Sequence, residues 1–510
     1  MKLEQKYTLN ANKNKLKEFG QYFTPEIIAD FMSKWVTKKA KNILDPAVGN
    51  AIFYRHSKKY NQEVNFFGYE IDSEILNYFE KYVKFPVINK DFLLSGWEES
   101  YEGILCNPPY NKFQSIDNRK HILKEFYDNT GYHFSGYTNQ YILFLIKSLY
   151  QLENNGRLCF IVPNEFLNSK YGNEIKKILV DSKSLKGIVN LNYNVFPNAI
   201  TTSCILFIEK TKNNWIEFID VKSEEELINL NFETEFFADE STKIPTKEID
   251  ANEKWMRYFS DSSLNILTTE NNFVQLTKFV DVKRGIATGA NKFFLFNKEK
   301  KEKYQIEDDY FSLAISRSAD IIDPICTRET INTLIYENKN VFLLDVDKKP
   351  STNLLNYIKE GEEEGYNDKY IPKRRTPWFS MEKKEAAPIL ISSSFRDKIK
   401  VIRNLCNVKS LTTFHSVYMN NGYERYTNIL FCYLLTTNGQ TLLLNNRKEM
   451  GNGLIKFQPN DYNEALMLDL TKISENDLDK IDQLYFEMIE KDESINIDII
   501  EKIFNKYFNI

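Results

Sequence analysis

The sequence predicts an α/β protein in which a doubly wound, mostly parallel sheet is followed by a second domain of mixed α+β structure. Within roughly the first 200 of the 510 residues, short apolar runs alternate with longer helical patterns. Such alternation is typical of βαβ units, in which a helix connects two parallel strands. The last two apolar runs are joined by a loop too short for a helix, so we expect an antiparallel hairpin at the end of the sheet.

The individual elements follow from the same alternation. Seven apolar runs are predicted to form strands, at 42–47, 64–72, 85–92, 102–109, 156–166, 185–196 and 201–210. Residues 73–83 and 139–153 have the periodicity of helices. The expected hairpin consists of the last two of the seven strands.

Three regions are expected along the chain. Residues 1–210 form the domain that contains the doubly wound sheet. Residues 211–270 are acidic and only weakly periodic, and we interpret them as a connecting region with one or two helices. Residues 271–510 mix strand-like and helical runs and form the second domain, which ends in a helical tail from about residue 475.

Composition excludes several classes of protein. The net charge of −4 argues against a uniformly basic nucleic-acid binder, although a local basic face is sufficient to bind DNA. The six cysteines are far apart and the four histidines lack metal-ligand spacing, so we expect no metal site. We find no signal peptide and no apolar stretch of ~20 residues, and therefore expect a cytoplasmic protein without a membrane segment.

Candidate ligand-binding residues follow the first three predicted strands, because open α/β sheets bind ligands beyond the carboxyl ends of their strands. The segment Asp45-Pro46-Ala47-Val48-Gly49 offers a carboxylate and a glycine, which suit a charged, nucleoside-linked ligand. Glu70 lies where a ribose diol is usually held, although Asp72 beside it also fits a helix cap. Asp91 is placed to accept a hydrogen bond from an adenine amino group, with Phe92 next to it.

The fourth strand ends at Asn107-Pro108-Pro109-Tyr110. The side-chain oxygen of Asn107 and the main-chain oxygen of Pro108 are two acceptors, and the fixed φ of proline orients the second. Neither proline has an N–H group, so no main-chain donor competes at this point. Tyr110 adds a flat ring, and the loop therefore predicts a pocket for an exocyclic amino group on a heteroaromatic base.

The order of these segments resembles the DNA adenine-N6 methyltransferases that use S-adenosylmethionine, in the gamma class with the cofactor region first and target recognition last. The resemblance covers nearly the whole chain and rests on Phe19–Pro25, Asp45–Gly49, Glu70, Asp91, Asn107–Tyr110 and the segments 194–207, 282–296 and 370–379. It implies a Rossmann-like methyltransferase sheet, a C-terminal target-recognition domain, S-adenosylmethionine as cofactor and double-stranded DNA as substrate. The first loop departs from the family pattern, because Gly49 is followed by Asn50-Ala51-Ile52 without a second glycine.

Roles for single residues are also implied by the resemblance. The residues expected at the cofactor are Tyr22, Thr24, Asp45, Ala47, Gly49, Glu70, Ile71, Asp91, Phe92 and Asn107. Asn107, Pro108 and Tyr110 are expected to be catalytic, and Tyr110 and Phe196 to stack on an adenine flipped out of the duplex. Basic residues of the second domain are expected to contact DNA, namely Lys283, Arg284, Lys292, Lys373, Arg374 and Arg375.

Other functions remain open from the sequence. A methyltransferase acting on RNA adenine and a protein-glutamine methyltransferase both fit the Asn-Pro-Pro-Tyr loop, although the latter enzymes are usually shorter. A non-catalytic DNA specificity subunit is a third alternative, against which the intact loop argues. We find no room for a nuclease ahead of the cofactor motif and no nuclease cluster in the second half. We therefore expect a modification enzyme that is either paired with a separate restriction endonuclease or solitary.

Overall fold

The computed structural model describes residues 22–110, 118–135, 138–196, 202–230, 241–259, 272–450, 453–491 and 497–508. By their contacts they divide into two compact units. The first unit comprises Met1–Ser262 with Lys448–Gly453, and the second comprises Ser263–Arg447 with Leu454–Ile510. Residues Phe19–Gln21 of the first predicted motif lie outside the described residues.

The first unit is built on a nine-stranded sheet with the order β3-β2-β1-β4-β5-β7-β6-β8-β9. Its strands are β1 Asn42–Asp45, β2 Asn65–Tyr69, β3 Val87–Ile88, β4 Tyr101–Cys106, β5 Leu152–Pro163, β6 Leu185–Leu191, β7 Ser203–Glu209, β8 Trp215–Val221 and β9 Thr242–Pro245. Its helices are α1 Glu26–Thr37, α2 Ile52–Tyr60, α3 Ser73–Tyr78, α4 Arg119–Thr130, α5 Gln140–Tyr150, α6 Asn173–Asp181 and α7 Glu224–Asn229. Strands β1 to β5 run parallel to one another, as the sequence predicted.

Apolar side chains cover both faces of this sheet. On one face Leu44 and Ile104 belong to the core that also contains helix α5. On the other face Ile43 and Leu105 belong to the core that contains helix α1. All four side chains are fully buried, which explains why these parallel strands are continuous apolar runs in the sequence. The helices thus lie on both faces, and the fold is a doubly wound α/β sheet.

The predicted antiparallel hairpin is present, but it does not end the sheet. Strands β6 and β7 pair antiparallel, and β7 also pairs antiparallel with β5. Strand β8 then pairs parallel with β6, and β9 pairs antiparallel with β8. Ile216 and Phe218 of β8 are buried, so this part of the acidic stretch 211–270 continues the core of the sheet.

The second unit has the mixed α+β structure that the sequence predicted. Its largest sheet has five strands in the order β11-β20-β16-β18-β14, and a four-stranded sheet has the order β12-β15-β13-β19. The remaining strands of the chain are β10 Phe273–Gln275, β11 Val280–Arg284, β12 Leu295–Phe296, β13 Phe311–Ile315, β14 Ile325–Cys326, β15 Phe342–Leu344, β16 Ile389–Ser392, β17 Ser394–Phe395, β18 Val401–Asn404, β19 Lys409–Ser410, β20 Phe414–Met419, β21 Lys448–Met450, β22 Leu454–Lys456 and β23 Leu466–Leu468.

The helices of the second unit include the predicted helical tail. They are α8 Asn291–Phe294, α9 Lys298–Tyr304, α10 Arg328–Tyr336, α11 Thr352–Glu363, α12 Thr427–Leu435, α13 Thr437–Leu444, α14 Pro459–Asn463, α15 Glu475–Lys491 and α16 Ile497–Asn505. Across the described parts of both units, no helix is long and apolar enough to cross a membrane.

Candidate active site

The candidate site lies at the carboxyl edge of the parallel strands. β1 is flanked by β2 on one side and by β4 on the other, so the chain winds away from this point in both directions. Ligands of doubly wound sheets bind at such a reversal of strand order. Among the residues that the structure describes, no group of three His, Cys, Asp or Glu side chains converges as metal ligands would.

The carboxylate of Asp45 ends β1 and is fully buried. Its Oδ1 accepts a hydrogen bond from the main-chain N–H of Ala47 at 3.1 Å. Its Oδ2 is buried without a hydrogen-bond donor among the described residues. Burial raises the pKa of Asp45 to about 8, which the N–H of Ala47 only partly offsets. A buried carboxyl oxygen without a hydrogen-bond donor is stabilised by a cationic group, so Asp45 Oδ2 favours such a group as its partner.

The carboxylate of Glu70 connects the ends of β1 and β2. Its Oε2 accepts from the N–H of Gly49 at 2.8 Å, and its Oε1 accepts from the N–H of Asp72 at 2.9 Å. Burial raises the pKa of Glu70, although both main-chain donors act to lower it. Each carboxylate oxygen keeps a further lone pair for a ligand hydroxyl. Asp72 also caps α3 by accepting from Glu74, as the alternative interpretation of this position suggested.

The backbone of the first loop explains how it forms with a single glycine. Gly49 has a φ of 51°, in the left-handed region that glycine adopts without a steric penalty. Ala51 has a φ of 57° and adopts the same conformation, where a second glycine would be less strained. The loop therefore contains two left-handed residues, and the N–H of Gly49 donates to Glu70.

The end of β3 has a different character. Asp91 caps a single 3₁₀ turn, Phe92–Leu94, through a 2.9 Å bond from the N–H of Leu93 to its Oδ1, and burial raises the pKa of Asp91. Phe92 is 1% exposed and packs in the core against Tyr69, with ring centroids 5.4 Å apart. Ile71, in contrast, is 54% exposed at the rim of the site.

Asn107 follows β4, and its side-chain amide has a defined orientation. The Nδ2 group donates to the main-chain oxygen of Tyr22 at 2.7 Å and to the hydroxyl of Thr24 at 3.0 Å. Because both amide N–H groups have these acceptors, the Oδ1 atom is the end that can accept from a ligand. Pro108, which supplies the second acceptor of the loop, is buried.

Three aromatic rings surround the Asn107 loop. Tyr110 stacks on Tyr22 with ring centroids 5.8 Å apart, and it meets Phe196 edge to face at 6.0 Å. Tyr22 also packs against Phe196 at 5.9 Å, and Phe196 is only 3% exposed. A base held between two parallel rings needs about 7 Å between them, twice the ~3.5 Å contact distance of carbon atoms. In this conformation the rings of Tyr110 and Phe196 contact each other.

A buried lysine lies behind the Asp91 turn and was not singled out from the sequence. Lys147, in α5, is fully buried and donates to the main-chain oxygens of Phe92 and Ser95. A single charged residue within the apolar run "YILFLIKSLY" was the signal that would have identified it.

A second group missed from the sequence joins the ends of β5 and β6. Asn164 donates to Asn190 at 2.8 Å and to Glu449 at 3.0 Å, and Asn190 donates to the same oxygen of Glu449. Thr202 donates to Asn164 at 2.7 Å. Glu449 belongs to the first unit by its contacts although it lies far along the sequence, so no local pattern could have indicated it.

The basic residues predicted for DNA binding have different environments within the second unit. Lys283, Arg284, Lys292, Lys373 and Arg374 are exposed. Arg375 is half-buried, and its guanidinium donates to the main-chain oxygens of Ala287 and Thr288 at 2.6 and 3.4 Å. Burial lowers the pKa of Arg375. Its contacts therefore support the loop 285–289 from within.

Three of the exposed basic residues contact other side chains of the second unit. Arg284 pairs with Glu382 at 3.1 Å, and Lys283 pairs with Asp281 at 3.0 Å. The guanidinium of Arg374 lies 3.8 Å from the ring centre of Tyr370, which is 70% exposed. Exposed ion pairs of this kind contribute little to stability, so these cations stay available to a ligand.

Doubly wound α/β proteins carry their ligand sites at this edge of the sheet, and the architecture described above places the first unit in that class. Sequence comparison defines it further. Residues 5–283 match the family described as N-6 DNA Methylase, and residues 252–496 match the C-terminal domain of the type II methyltransferase M.Eco57I. The chain therefore belongs to the N-6 DNA methylase family and is a DNA methyltransferase.

Two relatives by sequence agree with this assignment. The chain is 34% identical to the type II methyltransferase M.AccI of Acinetobacter calcoaceticus, over 98% of this chain and 95% of that protein. It is 24% identical to the type II methyltransferase M.HincII of Haemophilus influenzae, over 68% of this chain and 65% of that protein. Among solved structures, the methyltransferase subunit of a type I restriction-modification system from Streptococcus thermophilus matches with a TM-score of 0.41 and 20% identity, covering 47% of this chain and 59% of that chain.

Proposed function

We propose that this enzyme transfers a methyl group from S-adenosylmethionine to N6 of one adenine within a specific sequence of duplex DNA. The orientation of Asn107 carries the proposal. Its Nδ2 group is held by Tyr22 and Thr24, so its Oδ1 atom is presented as an acceptor beside the Pro108 carbonyl. Two acceptors and no donor at one point match an exocyclic NH₂ group.

Two buried carboxylates and a half-buried one, at neighbouring strand ends, fit the proposed cofactor. Asp45 has an unpaired buried oxygen suited to the methionine ammonium group, and Glu70 has spare acceptor capacity for the ribose hydroxyls. Asp91, whose Oδ1 accepts from the N–H of Leu93, is proposed to accept from the adenine amino group, with Ile71 at the rim. When bound, S-adenosylmethionine supplies the methyl group as part of an electrophilic sulfonium.

The Asn107 loop would act on the nitrogen that receives the methyl group. The lone pair of an adenine amino group is delocalised into the ring, which makes the nitrogen a poor nucleophile. Accepting both N–H groups at Asn107 Oδ1 and the Pro108 carbonyl favours a tetrahedral nitrogen and stabilises the positive charge that develops on it. This stabilisation is greater in the transition state than in the bound substrate, as catalysis requires.

An adenine within a duplex must leave the base stack to reach this loop. Flipping it out costs a few kcal/mol, and stacking on an aromatic ring recovers ~1–3 kcal/mol per contact. Tyr110 and Phe196 are the rings that we propose for this stacking. Because the two rings contact each other, the base would enter by displacing the Phe196 ring from its place against Tyr110.

The second unit is proposed to be the target-recognition domain, within residues 271–510, and the catalytic domain to lie within residues 1–210. Of the six basic residues predicted to contact DNA in the second unit, five are exposed and can contact phosphates or base edges, whereas Arg375 supports a loop. The relatives M.AccI and M.HincII are named type II methyltransferases. We therefore propose that the protein is the modification enzyme of a restriction-modification system, alongside a separate endonuclease.

Expression in a host without its own adenine methylation tests this function. Sequencing that detects N6-methyladenine is expected to find one short motif that is modified at nearly every genomic copy. The matched control is the same host with the Asn107→Ala variant, in which the motif should be unmodified. Folded wild-type protein without any modified DNA motif, or with methyladenine in host RNA only, would contradict the proposal.

A further inference from the structure

A fully buried ammonium group lies against the Asp91 turn. Lys147 is 0% exposed, and apart from Ser148 the other buried residues of its helix are apolar or aromatic. Its Nζ atom donates to the main-chain oxygens of Phe92 and Ser95, each at 2.7 Å, and to the Ser95 hydroxyl at 2.9 Å. An ammonium group has three N–H donors, and these contacts use all of them.

All three acceptors belong to the turn that follows Asp91. The turn begins with Asp91 accepting from the N–H of Leu93, and it ends at Ser95, whose hydroxyl donates to the oxygen of Phe92. The rings of Phe92 and Trp97 lie 4.9 and 5.2 Å from the Lys147 Nζ atom. Two carbonyls and a hydroxyl of one short turn converge in this way only if the turn is folded around the cation.

The charges near Lys147 come from the elements packed around it. Burial lowers the pKa of Lys147 to about 8, and the carboxylates of Glu125, Asp91 and Glu98 act to raise it, whereas Lys90 lowers it further. Tyr69, which interacts with Ser95, has its pKa raised above its usual value of 10 by burial and does not titrate near neutrality. The side chain of Lys147 therefore loses its charge near pH 8, within the range that a binding experiment covers.

We propose that Lys147 is a positioning residue for the adenine end of the cofactor site, where its ammonium form holds the 91–95 turn so that Asp91 can accept from the adenine amino group. The inference rests on the proposed function, because it uses Asp91 as a cofactor residue. Lys147 itself does not touch the cofactor. Its loss should weaken cofactor binding, while turnover at saturating cofactor should stay close to that of the wild type.

Adenosine is the probe that isolates this end of the site. It has the adenine and ribose of the cofactor but lacks the methionine amino group, which itself titrates near pH 8. For wild-type protein we expect the Kd of adenosine to be constant from pH 6.5 to about 8. Above that pH the ammonium form becomes scarce, and the Kd should rise toward about tenfold per pH unit.

Two lysine variants separate this role from a general structural one. Lys147→Met should raise the Kd of adenosine at pH 7 at least about tenfold and abolish its pH dependence, with kcat at saturating S-adenosylmethionine within about threefold of wild type. Lys176→Met is the matched control, because Lys176 is also buried in the first unit, with its pKa lowered to about 8, and donates to the oxygen of Glu253 instead. Lys176→Met should leave both the adenosine Kd and its pH profile unchanged.

If Lys147→Met does not fold, the wild-type profile and Ser95→Ala decide the question. Ser95→Ala removes one of the three acceptors and should weaken adenosine binding about threefold to tenfold, while it retains the pH profile. A wild-type Kd that stays constant from pH 7 to 9.5, or Lys147→Met protein that binds adenosine as wild type does, would overturn the proposal.

Asp91→Asn distinguishes failure of this inference from failure of the proposed function. If adenosine binds Asp91→Asn as tightly as wild type, Asp91 does not hold adenine, and both the cofactor assignment and the role of Lys147 fall. If Asp91→Asn weakens binding but Lys147→Met does not, only the role of Lys147 falls. Asp45 is the other group of the site whose pKa is about 8. Asp45→Asn should retain the pH profile of adenosine binding, which would show that Asp45 is not the source of that profile.

Discussion

The side-chain nitrogen of Asn107 lies 2.7 Å from the main-chain oxygen of Tyr22. A carbonyl oxygen only accepts hydrogen bonds, so this contact determines which end of the amide faces the site. Tyr22 lies 85 residues earlier in the chain, in the segment that precedes the first helix. The segment before the sheet therefore sets the direction of the acceptor that we assign to catalysis.

Replacement of Asn107 tests its role directly. Asn107→Ala removes the Oδ1 acceptor, and Asn107→Asp places an oxygen against the Tyr22 carbonyl instead of a donor. We expect either change to lower the single-turnover rate by about 10²–10³, the usual effect of losing one preorganised transition-state contact. The Kd for DNA should change less than about threefold. Asn129→Ala, at an exposed asparagine of α4, is the control that should retain full activity.

Thr24 is expected to act through Asn107. Thr24→Val preserves the shape of the side chain but removes the hydroxyl that accepts from Asn107 Nδ2 at 3.0 Å. A hydrogen bond of this kind contributes about 1 kcal/mol, so the methylation rate should fall about fivefold. Thr24→Ser restores the hydroxyl and should recover the rate. If the valine and serine variants have equal rates, Thr24 does not orient the amide.

The sequence indicated candidate residues but not their contacts. Asn107, Asp45 and Glu70 were chosen because each lies at the end of an apolar strand, and the ends of parallel strands meet at one edge of a sheet. Their hydrogen-bond partners are distant in sequence, as Tyr22 is for Asn107, and local pattern does not contain that information. The crowding of Phe196 against Tyr110 also depends on tertiary packing.

The raised pKa of Asp45 predicts proton release on cofactor binding. With a pKa of about 8, Asp45 is almost entirely protonated at pH 6.5 in the free protein. A bound ammonium group stabilises the carboxylate and lowers this pKa, so a proton must leave. We expect calorimetry in buffers of different ionisation enthalpy to show about one proton released per S-adenosylmethionine bound at pH 6.5.

Two controls accompany this measurement. Asp45→Asn cannot release the proton, and adenosine lacks the ammonium group that would drive the release. We therefore expect no buffer-dependent binding enthalpy for S-adenosylmethionine with the Asp45→Asn protein, and none for adenosine with the wild-type protein. Wild-type protein that binds S-adenosylmethionine without proton release would contradict the placement of Asp45 at the methionine end.

Strand order was predicted less well than the strands themselves. The segment Trp215–Val221 is rich in aromatic and β-branched residues, which is a strand signal, but it lies within an acidic stretch that we interpreted as a connecting region. Composition predicts that such a segment is extended and does not predict where it pairs. β8 adds to β6 because the edge of the hairpin was open to a further strand.

Phe196 should be required for holding a flipped base. Phe196→Ala is expected to lower kcat/KM by about 5–150-fold, equivalent to the ~1–3 kcal/mol of one base–aromatic contact. Phe196→Trp preserves a stacking surface and should retain more activity. DNA with a mismatch at the target adenine should partly restore the alanine variant, because an unpaired base costs less to flip. Equal losses on paired and mismatched DNA would contradict a stacking role.

Arg374 and Arg375 are adjacent but should behave differently on substitution. Arg375→Ala leaves the oxygens of Ala287 and Thr288 without their donor, and both of those residues are buried. We expect a loss of about 1–3 kcal/mol in the free energy of unfolding, measured by denaturant titration. Arg374→Ala removes an exposed cation and should leave stability unchanged, while it lowers the slope of log Kd against log salt for DNA by about one. If the Arg375→Ala protein instead has wild-type stability and a reduced salt slope, Arg375 contacts a phosphate. Removal of a guanidinium that supports a loop would lower the free energy of unfolding.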